Sequence, residues 1–429
     1  MHKYLQLLRN NPGFARLWLS QVISLTGDWF NTIVLSVLVA QYSDGSGVAV
    51  SLFLLARFLP SLIFTPIAGV LVDRYNRKHV LIWSNLLRAL IVPLFLLADS
   101  PDMLWLIYVV TIVQFILSTV FEPGQSAIIP SLTDEQDLVE ANTLVSVTWS
   151  VMLAVGAILG GGFAAIFGTQ IALLTDAATF AVAAALLATI QYKPKGKSKV
   201  QDDAEDDTSF MEGLRYASRH PQMASTLAVK TTSFIGNFDT IMTVLATQIF
   251  IIGSNGEISL GIMFSMFGVG AFIGPMLTNV INDGSVHRMR RLILIGFIII
   301  VIAWGILAWG ATETFIFVCA AIFIRALGGS VNWTYSTIII QKTAPDAYLG
   351  RMFSIDMAGF QLATVISTLA HGWLIDWVGV EHIGWIAVGS GVVSVLPLAF
   401  WGWAVRYLER SEKNHNFLES NEVLGASTD

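Results

Sequence analysis

Twelve apolar runs, separated by short stretches of turn-forming residues or clustered charges, divide the chain at residues 14–41, 48–71, 80–98, 103–128, 144–167, 170–190, 224–251, 258–281, 292–310, 314–340, 349–377 and 382–407. A helix of about 20 apolar residues crosses roughly 30 Å of hydrocarbon. The pattern therefore predicts an all-α membrane protein in which twelve transmembrane helices, spans one to twelve in chain order, take up most of the 429 residues. Little length remains for a soluble catalytic module.

The charges test this scheme, because a correct set of spans places Lys and Arg on alternate loops only. Basic residues fall on the N-terminus (Lys3, Arg9, Arg16), loop 2–3 (Arg74, Arg77, Lys78), the central linker (Lys193, Lys195, Lys197, Lys199, Arg215, Arg219), loop 8–9 (Arg288, Arg290, Arg291), loop 10–11 (Lys342, Arg351) and the C-terminus (Arg406, Arg410, Lys413). The loops facing the other way carry none. The pattern predicts a multi-pass protein with both termini cytoplasmic. Composition agrees, with 55% of residues hydrophobic and 13% charged, where soluble chains carry about 25% charge. A lone Cys319 excludes an intrachain disulfide. The first apolar run is too long for a signal-peptide core and lacks a small-residue cleavage site, so it is expected to be retained.

The longest interruption, residues 191–222, holds a basic run, the acidic run Asp202 to Asp207 and then a helical pattern. Ser209 with Glu212 resembles a capping box, and Phe210, Leu214 and Ala217 share one face opposite Arg215 and Arg219, which predicts a short amphipathic helix at the cytoplasmic interface. The expected organisation is an N-terminal six-helix bundle (1–191), a cytoplasmic linker (192–223), a C-terminal six-helix bundle (224–410) and a disordered polar tail (411–429). Asp28 and Asp239 are related by an offset of 211, and the stretch from Phe121 to Ile129 meets that from Val331 to Ile339 at an offset of 210. Agreement of the offsets favours two pseudo-symmetric repeats.

Between spans two and three the chain reads Gly69, Val70, Leu71, Val72, Asp73, Arg74, Tyr75, Asn76, Arg77, Lys78. This run resembles the G-x-L-x-D-R-x-x-R-K signature of the major facilitator superfamily. The resemblance implies that Gly69, Asp73, Arg74, Arg77 and Lys78 form a conformational latch, with Asp73 facing Arg77 or the N-terminus of span eleven near Gly350 when the cytoplasmic side is closed. Arg57 to Pro60, Phe121 to Pro130, Ala141-Asn142 and Gly350 to Phe353 are similar to the drug:proton antiporter branch typified by macrolide-efflux proteins and the enterobactin exporter. In span five Gly156, Gly160, Gly161 and Gly162 keep the glycines of an antiporter stretch without its proline. They imply close helix packing where the halves meet.

An ionisable side chain at the centre of a span costs about 2.5–3.5 kcal/mol on insertion scales, so each needs a partner, a watery cavity or a function. Asp28 and Arg57 lie near mid-membrane and can pair. Two readings stay open: a protonation site whose affinity Arg57 sets, or a structural ion pair. Glu122, beside the helix-breaking Pro123, is the second coupling candidate, and Asp239 with Arg325 repeats the acid-and-base theme in the other half. Lys230 is expected to snorkel to the interface, Arg88 and Asp176 to pair structurally, with each other or with backbone, away from the cavity, Asp356 to be interfacial, and His371 to be structural, or else a gate or pH sensor. Substrate contacts are expected from aromatic and amide groups: Trp29, Phe121, Phe238, Asn332, Trp333, Phe360 and Gln361.

The chain has no metal-binding helix, nucleophile elbow or phosphate-binding loop, which argues against a membrane enzyme and against ATP as driver. The reading is a secondary active exporter of small amphipathic or lipophilic compounds, macrolide-like drugs among them, working by proton antiport and alternating access in a bacterial inner membrane. No metal or other cofactor is expected. Its partners would be a small-molecule substrate, protons and the bilayer, with no nucleic acid, and the chain itself a monomer. The alternative is an exporter or importer of a dedicated metabolite, such as a siderophore or lysolipid, in the same fold.

Overall fold

Hydrocarbon offers the backbone no hydrogen bonds, so apolar runs of this length satisfy their own N–H and C=O groups as helices. The computed structural model describes residues 2–192 and 210–425; at 2, 66, 69, 73, 135, 139, 146, 346, 347 and 411–425 only the backbone is described. The basic run 193–199, the acidic run 202–207 and Ser209 thus lie outside the described residues, as do the side chain of Asp73 and the surroundings of Gly69.

Ten helical stretches among the described residues are long and apolar enough to cross a bilayer. The count becomes twelve for two physical reasons. Spans five and six run together in Ala157–Ala188, but Gly168 (φ 82°) turns the chain between them, in a region of backbone space that favours glycine. Span seven is broken, running as Pro221–Ser233 and Asp239–Val244 with a π-turn at Leu245–Ile249. Span four is broken too. It runs as Leu104–Ser118 and Phe121–Ile128, the gap falling where the ring of Pro123 opposes the carbonyl four residues back. Span five itself begins in Leu138–Val151 and passes through the π-turn Met152–Gly156; the remaining spans are Pro12–Tyr42, Gly47–Arg74, Arg77–Ile91 with its extension Val92–Leu97, Glu257–Asn279, Val286–Gly310, Phe315–Thr343, Asp346–Val378 and Ile383–Gly425. The last helix continues through Gly425, where the polar composition predicted disorder from Ser411. This stretch holds no proline, and Glu, Lys and Leu favour helix.

The basic loops share one face. Arg16 donates to the Thr189 carbonyl (2.8 Å), Lys78 to those of Ala188 and Ile190 (2.7 Å each), and Lys342 to that of Gly284 (2.6 Å). The linker helix Phe210–Arg219 docks on this face against the start of span eleven, with Glu212 3.3 Å from Arg351 and Tyr216 stacked on Tyr348. Gly213 and Ala217 form its buried side, while Phe210 and Leu214 are exposed.

The two halves are tied on the opposite face. Asp376 at the end of span eleven accepts from Ser46 Oγ (2.7 Å) and from the amides of Gly47 (2.5 Å) and Val48 (3.1 Å) at the start of span two. Ser51 Oγ donates to the Thr368 carbonyl (2.7 Å), and Gln248 Nε2 to that of Gly45 (2.6 Å). Toward mid-membrane, spans five and eight meet backbone to backbone: a Cβ on Gly161 would lie 3.1 Å from the Glu257 carbonyl carbon, and one on Gly268 2.6 Å from the Ala154 nitrogen. At the basic face Gly350 has nothing within 4 Å of a Cβ, and Ile63, Ile67 and Val70 of span two are exposed along with Phe272, Met276 and Leu277 of span eight. The hydrogen bonds between the halves thus gather at the face away from the basic loops.

Candidate functional site

The tied face places the charged residues of spans one, two, three, six and seven around the centre of the seam. Arg88 of span three reaches Asp28 of span one (Nη2 to Oδ1, 2.5 Å) and lays its guanidinium over the Phe180 ring at 3.8 Å. The partner of Asp28 is therefore Arg88 and not Arg57, because span three, packed on span six, sends its arginine across the Phe180 ring to the carboxylate of span one. Asp176 in turn is not the partner of Arg88; its Oδ2 accepts from Asn31 Nδ2 at 2.9 Å. Gly27 lets span six approach here, since a Cβ at that position would meet the carboxylate of Asp176. Arg57 keeps neither a hydrogen bond nor an ion pair among the described residues; its Cζ stands 4.9 Å from the centroid of Phe115 and 5.8 Å from that of Phe53.

In the second half the break in span seven organises the site. Interrupting a helix inside a membrane frees backbone groups that must find other partners. Ser367 Oγ accepts from the amides of Gly236 and Asn237 (2.8 Å each), and Arg325 Nη2 donates to the carbonyls of Ser233 (2.7 Å) and Gly236 (3.3 Å). Gly236 itself sits at φ 98° against Trp304. The second segment starts at Asp239, whose Oδ2 accepts from Asn237 Nδ2 (3.0 Å). Arg325 thus serves the broken backbone, with the Phe234 ring 5.5 Å away.

Lys230 does not snorkel. Its Nζ pairs with Asp356 Oδ2 at 2.5 Å, both side chains are fully buried, and the ammonium sits 4.3 Å over the Trp333 ring. Asp356 is correspondingly interior, because span eleven packs against span seven and turns the carboxylate inward. His371 bonds Ser390 of span twelve (2.9 Å) and stacks on Trp304, a packing position inside the second half.

The expected substrate contacts divide. Trp333 and Phe360 meet edge to face (5.0 Å) and, with Phe234, form a half-buried aromatic cluster beside Lys230; Gln361 is half-buried next to it. Trp29 is half-buried on the seam, edge-on to Phe264 of span eight at 5.5 Å. Three others are not cavity residues. Phe238 is buried against Trp304 (4.3 Å), Asn332 is fully buried with its amide on Ser233 Oγ (2.9 Å), and Phe121 packs on the core of the first half near Leu81 and Ile128. Glu122 is exposed on the span-four break. Of the four span-five glycines, Gly161 meets the other half, Gly156 and Gly160 pack on Trp29 of their own half and Gly162 faces open space. At the latch, Arg77 donates to the Ala127 carbonyl (2.9 Å) and Lys78 to the end of span six. Asn31, Asn237, Phe234 and Ser367 escaped the sequence reading; the Gly236-Asn237 pair, a chain-breaking dipeptide, was the signal for three of them.

Two helical bundles, a broken helix at mid-membrane and a seam tied at one face define a polytopic transporter of small molecules. The family model described as Major Facilitator Superfamily matches residues 17–312 and 231–424, and the chain belongs to that family. It is a transporter and not an enzyme. It is 26% identical over 389 residues to an uncharacterized MFS-type transporter, YfiS, of Bacillus subtilis (87% of this chain, 89% of the relative). It is 26% identical over 406 residues to macrolide efflux protein A of Streptococcus pyogenes (90% and 94%) and 24% identical over 385 residues to a putative bacilysin exporter of Bacillus amyloliquefaciens (83% and 88%). Among solved structures, a bacterial homologue of the iron transporter ferroportin matches with a TM-score of 0.71 in its inward-facing state (15% identity, 92% and 98% covered) and 0.58 in its outward-facing state (17%, 91% and 99%).

Proposed function

We propose that this chain is a secondary active exporter of small amphipathic or lipophilic compounds, macrolide-like drugs among them, driven by proton antiport in a bacterial inner membrane. The reading takes both termini and the open side of the seam as cytoplasmic, so the conformation is inward-facing, and takes the working unit as a monomer of two bundles joined by the linker. The observation that carries it is Asp28: a carboxylate at mid-membrane, 24% exposed at the seam, and held by one arginine, Arg88. A proton from outside neutralises Asp28, releases Arg88 and changes how spans one, three and six pack; substrate taken from the open face leaves on the other side as the halves rock. One proton moving down the membrane potential supplies about 2.3 kcal/mol per 100 mV. Asp239, at the start of the second segment of span seven and with its carboxylate held by the Asn237 amide, is the counterpart in the other half. Efflux relatives support the direction of transport, and the cluster of Phe234, Trp333 and Phe360 supports an apolar substrate body.

The test is energised extrusion of macrolides and fluorescent cationic dyes from an efflux-deficient bacterium, comparing wild type with Asp28→Asn at matched expression. Extrusion lost to an uncoupler and to Asp28→Asn is the expected result; uncoupler-sensitive extrusion that survives Asp28→Asn moves the coupling site to Asp239 or Glu122. The similarity to a putative bacilysin exporter favours, as second reading, a transporter dedicated to one metabolite. No extrusion of any panel member would turn the assignment to it.

A further inference from the structure

Four basic residues fall well inside the apolar runs of the sequence, and three of them have partners supplied by the protein. Arg88 holds Asp28, Lys230 holds Asp356, and Arg325 holds two carbonyls of the broken span seven. Arg57 is the exception. Among the described residues its guanidinium makes no hydrogen bond and no ion pair, and its Nη1 is buried. The carboxylates that face it electrostatically each have another partner nearer: Asp28 of span one has Arg88, Asp239 of span seven has the Asn237 amide, and Asp176 of span six has the Asn31 amide on Oδ2, its Oδ1 being buried without a hydrogen bond among the described residues. Arg88 also faces it, and as a second cation it offers no compensation. A guanidinium does not lose its proton in a protein, so leaving it unpaired in a low-dielectric surrounding is costly, and such a residue inside a membrane protein marks a functional site.

The geometry around Arg57 is that of an oxyanion receptor. Its position, about ten residues into span two from Gly47, is near mid-membrane. The rings of Phe53 and Phe115 lie beside the cation at 5.8 and 4.9 Å, favourable to positive charge. Neither ring can accept the in-plane N–H groups, which remain a planar fork suited to two oxygens at once. The side chain as a whole is half-buried and belongs to span two, the helix that carries the tie to Asp376 at one face.

We propose that Arg57 anchors an anionic group, a carboxylate in the first instance, on the transported compound. This rests on the transporter reading above and adds to its compounds a class of amphipaths with an oxyanion beside an apolar body. The carboxylate takes the fork of Arg57, and the apolar body lies across the seam against the aromatic cluster of Phe234, Trp333 and Phe360.

The experiment uses the full-length protein in lipid nanodiscs and two probes with one aromatic body, 1-pyrenebutyrate and 1-pyrenebutanol. Tryptophan-to-pyrene energy transfer, corrected against empty nanodiscs, reads the affinity of each. The expected result is that wild type holds the carboxylate at least about tenfold tighter than the alcohol, the discrimination that a charged hydrogen-bond pair gives. Arg57→Gln should bring the carboxylate down to the affinity of the alcohol and leave the alcohol unchanged, with Arg57→Lys between them. If Arg57→Gln does not fold, judged by thermal unfolding, Arg57→Lys alone decides, because a lysine keeps the charge and loses the fork. Equal binding of both probes by wild type, no binding of pyrenebutyrate, or a preference that survives Arg57→Gln overturns the assignment. Loss of proton coupling in Arg57→Gln with the carboxylate preference intact also overturns it and makes Arg57 an alternate counter-ion for Asp28. Binding is read without transport, so a carboxylate preference in a protein that extrudes nothing would sink the exporter reading and leave the receptor standing.

Discussion

If the tie between span two and span eleven holds the closed face shut, removing Asp376 should shift the protein toward the opposite opening. The carboxylate caps the first amides of span two, Gly47 and Val48, and also accepts from Ser46 Oγ, so one side chain from the second half satisfies the N-terminus of a helix in the first. Buried charged hydrogen bonds contribute about 1.5–3 kcal/mol each. Asp376 is exposed, and water replaces much of what is lost. A total of about 1–2 kcal/mol follows for the cluster, equivalent to a shift of about 5- to 30-fold in the equilibrium between the two openings. Asp376→Asn keeps an acceptor and loses the charge, so it should give a smaller shift than Asp376→Ala. The measurement is a spin-label distance across this face, between Gln41→Cys and Glu381→Cys with Cys319→Ser to remove the native thiol. The long-distance population should rise in Asp376→Ala at unchanged thermal stability. A distance distribution identical to wild type would refute the idea that these bonds oppose opening and would leave the seal to Ser51, Gln248 and the close approach of Gly47 to Gly372.

Three further outcomes follow from the same geometry. Lys230→Met or Asp356→Leu alone leaves a fully buried charge unpaired and should destabilise by about 3–5 kcal/mol, whereas the double variant should recover most of the loss; thermal unfolding of the three proteins checks it, and a double variant as unstable as the singles counts against the pairing. Gly161→Leu should abolish transport by wedging spans five and eight apart, while Gly162→Leu, one residue on and facing open space, should transport at near wild-type rate; equal effects would mean that the span-five contact is not where the halves pivot. Ser367→Ala removes the acceptor for two backbone amides and should lower stability by about 1–3 kcal/mol, with faster amide exchange at Gly236 and Asn237 as its local signature.

The twelve spans, their grouping of basic loops on one face and the interruption beside Pro123 were legible in the sequence, because burial in hydrocarbon constrains each helix separately and leaves its mark in consecutive residues. Position along the chain also put Asp28, Arg57, Asp239 and Arg325 within helices and not in the loops between them. What position could not give was azimuth, the direction in which a side chain leaves its helix relative to neighbours distant in the chain. Arg57 and Arg88 both stand at depths that suit Asp28, and only the packing of span three on span six selects Arg88. The same blindness sent Lys230 to the interface when Asp356, on span eleven, waits for it inside.

Sequence by itself determined the solvent of this protein, its helix count and the depth of its charges, since these depend on the local sum of transfer free energies. Tertiary structure decided which charges pair, which aromatic residues face the seam and which face of the seam is closed. Each of those depends on contacts between helices far apart in the chain, and a spare arginine such as Arg57 becomes visible only after every other partner has been assigned.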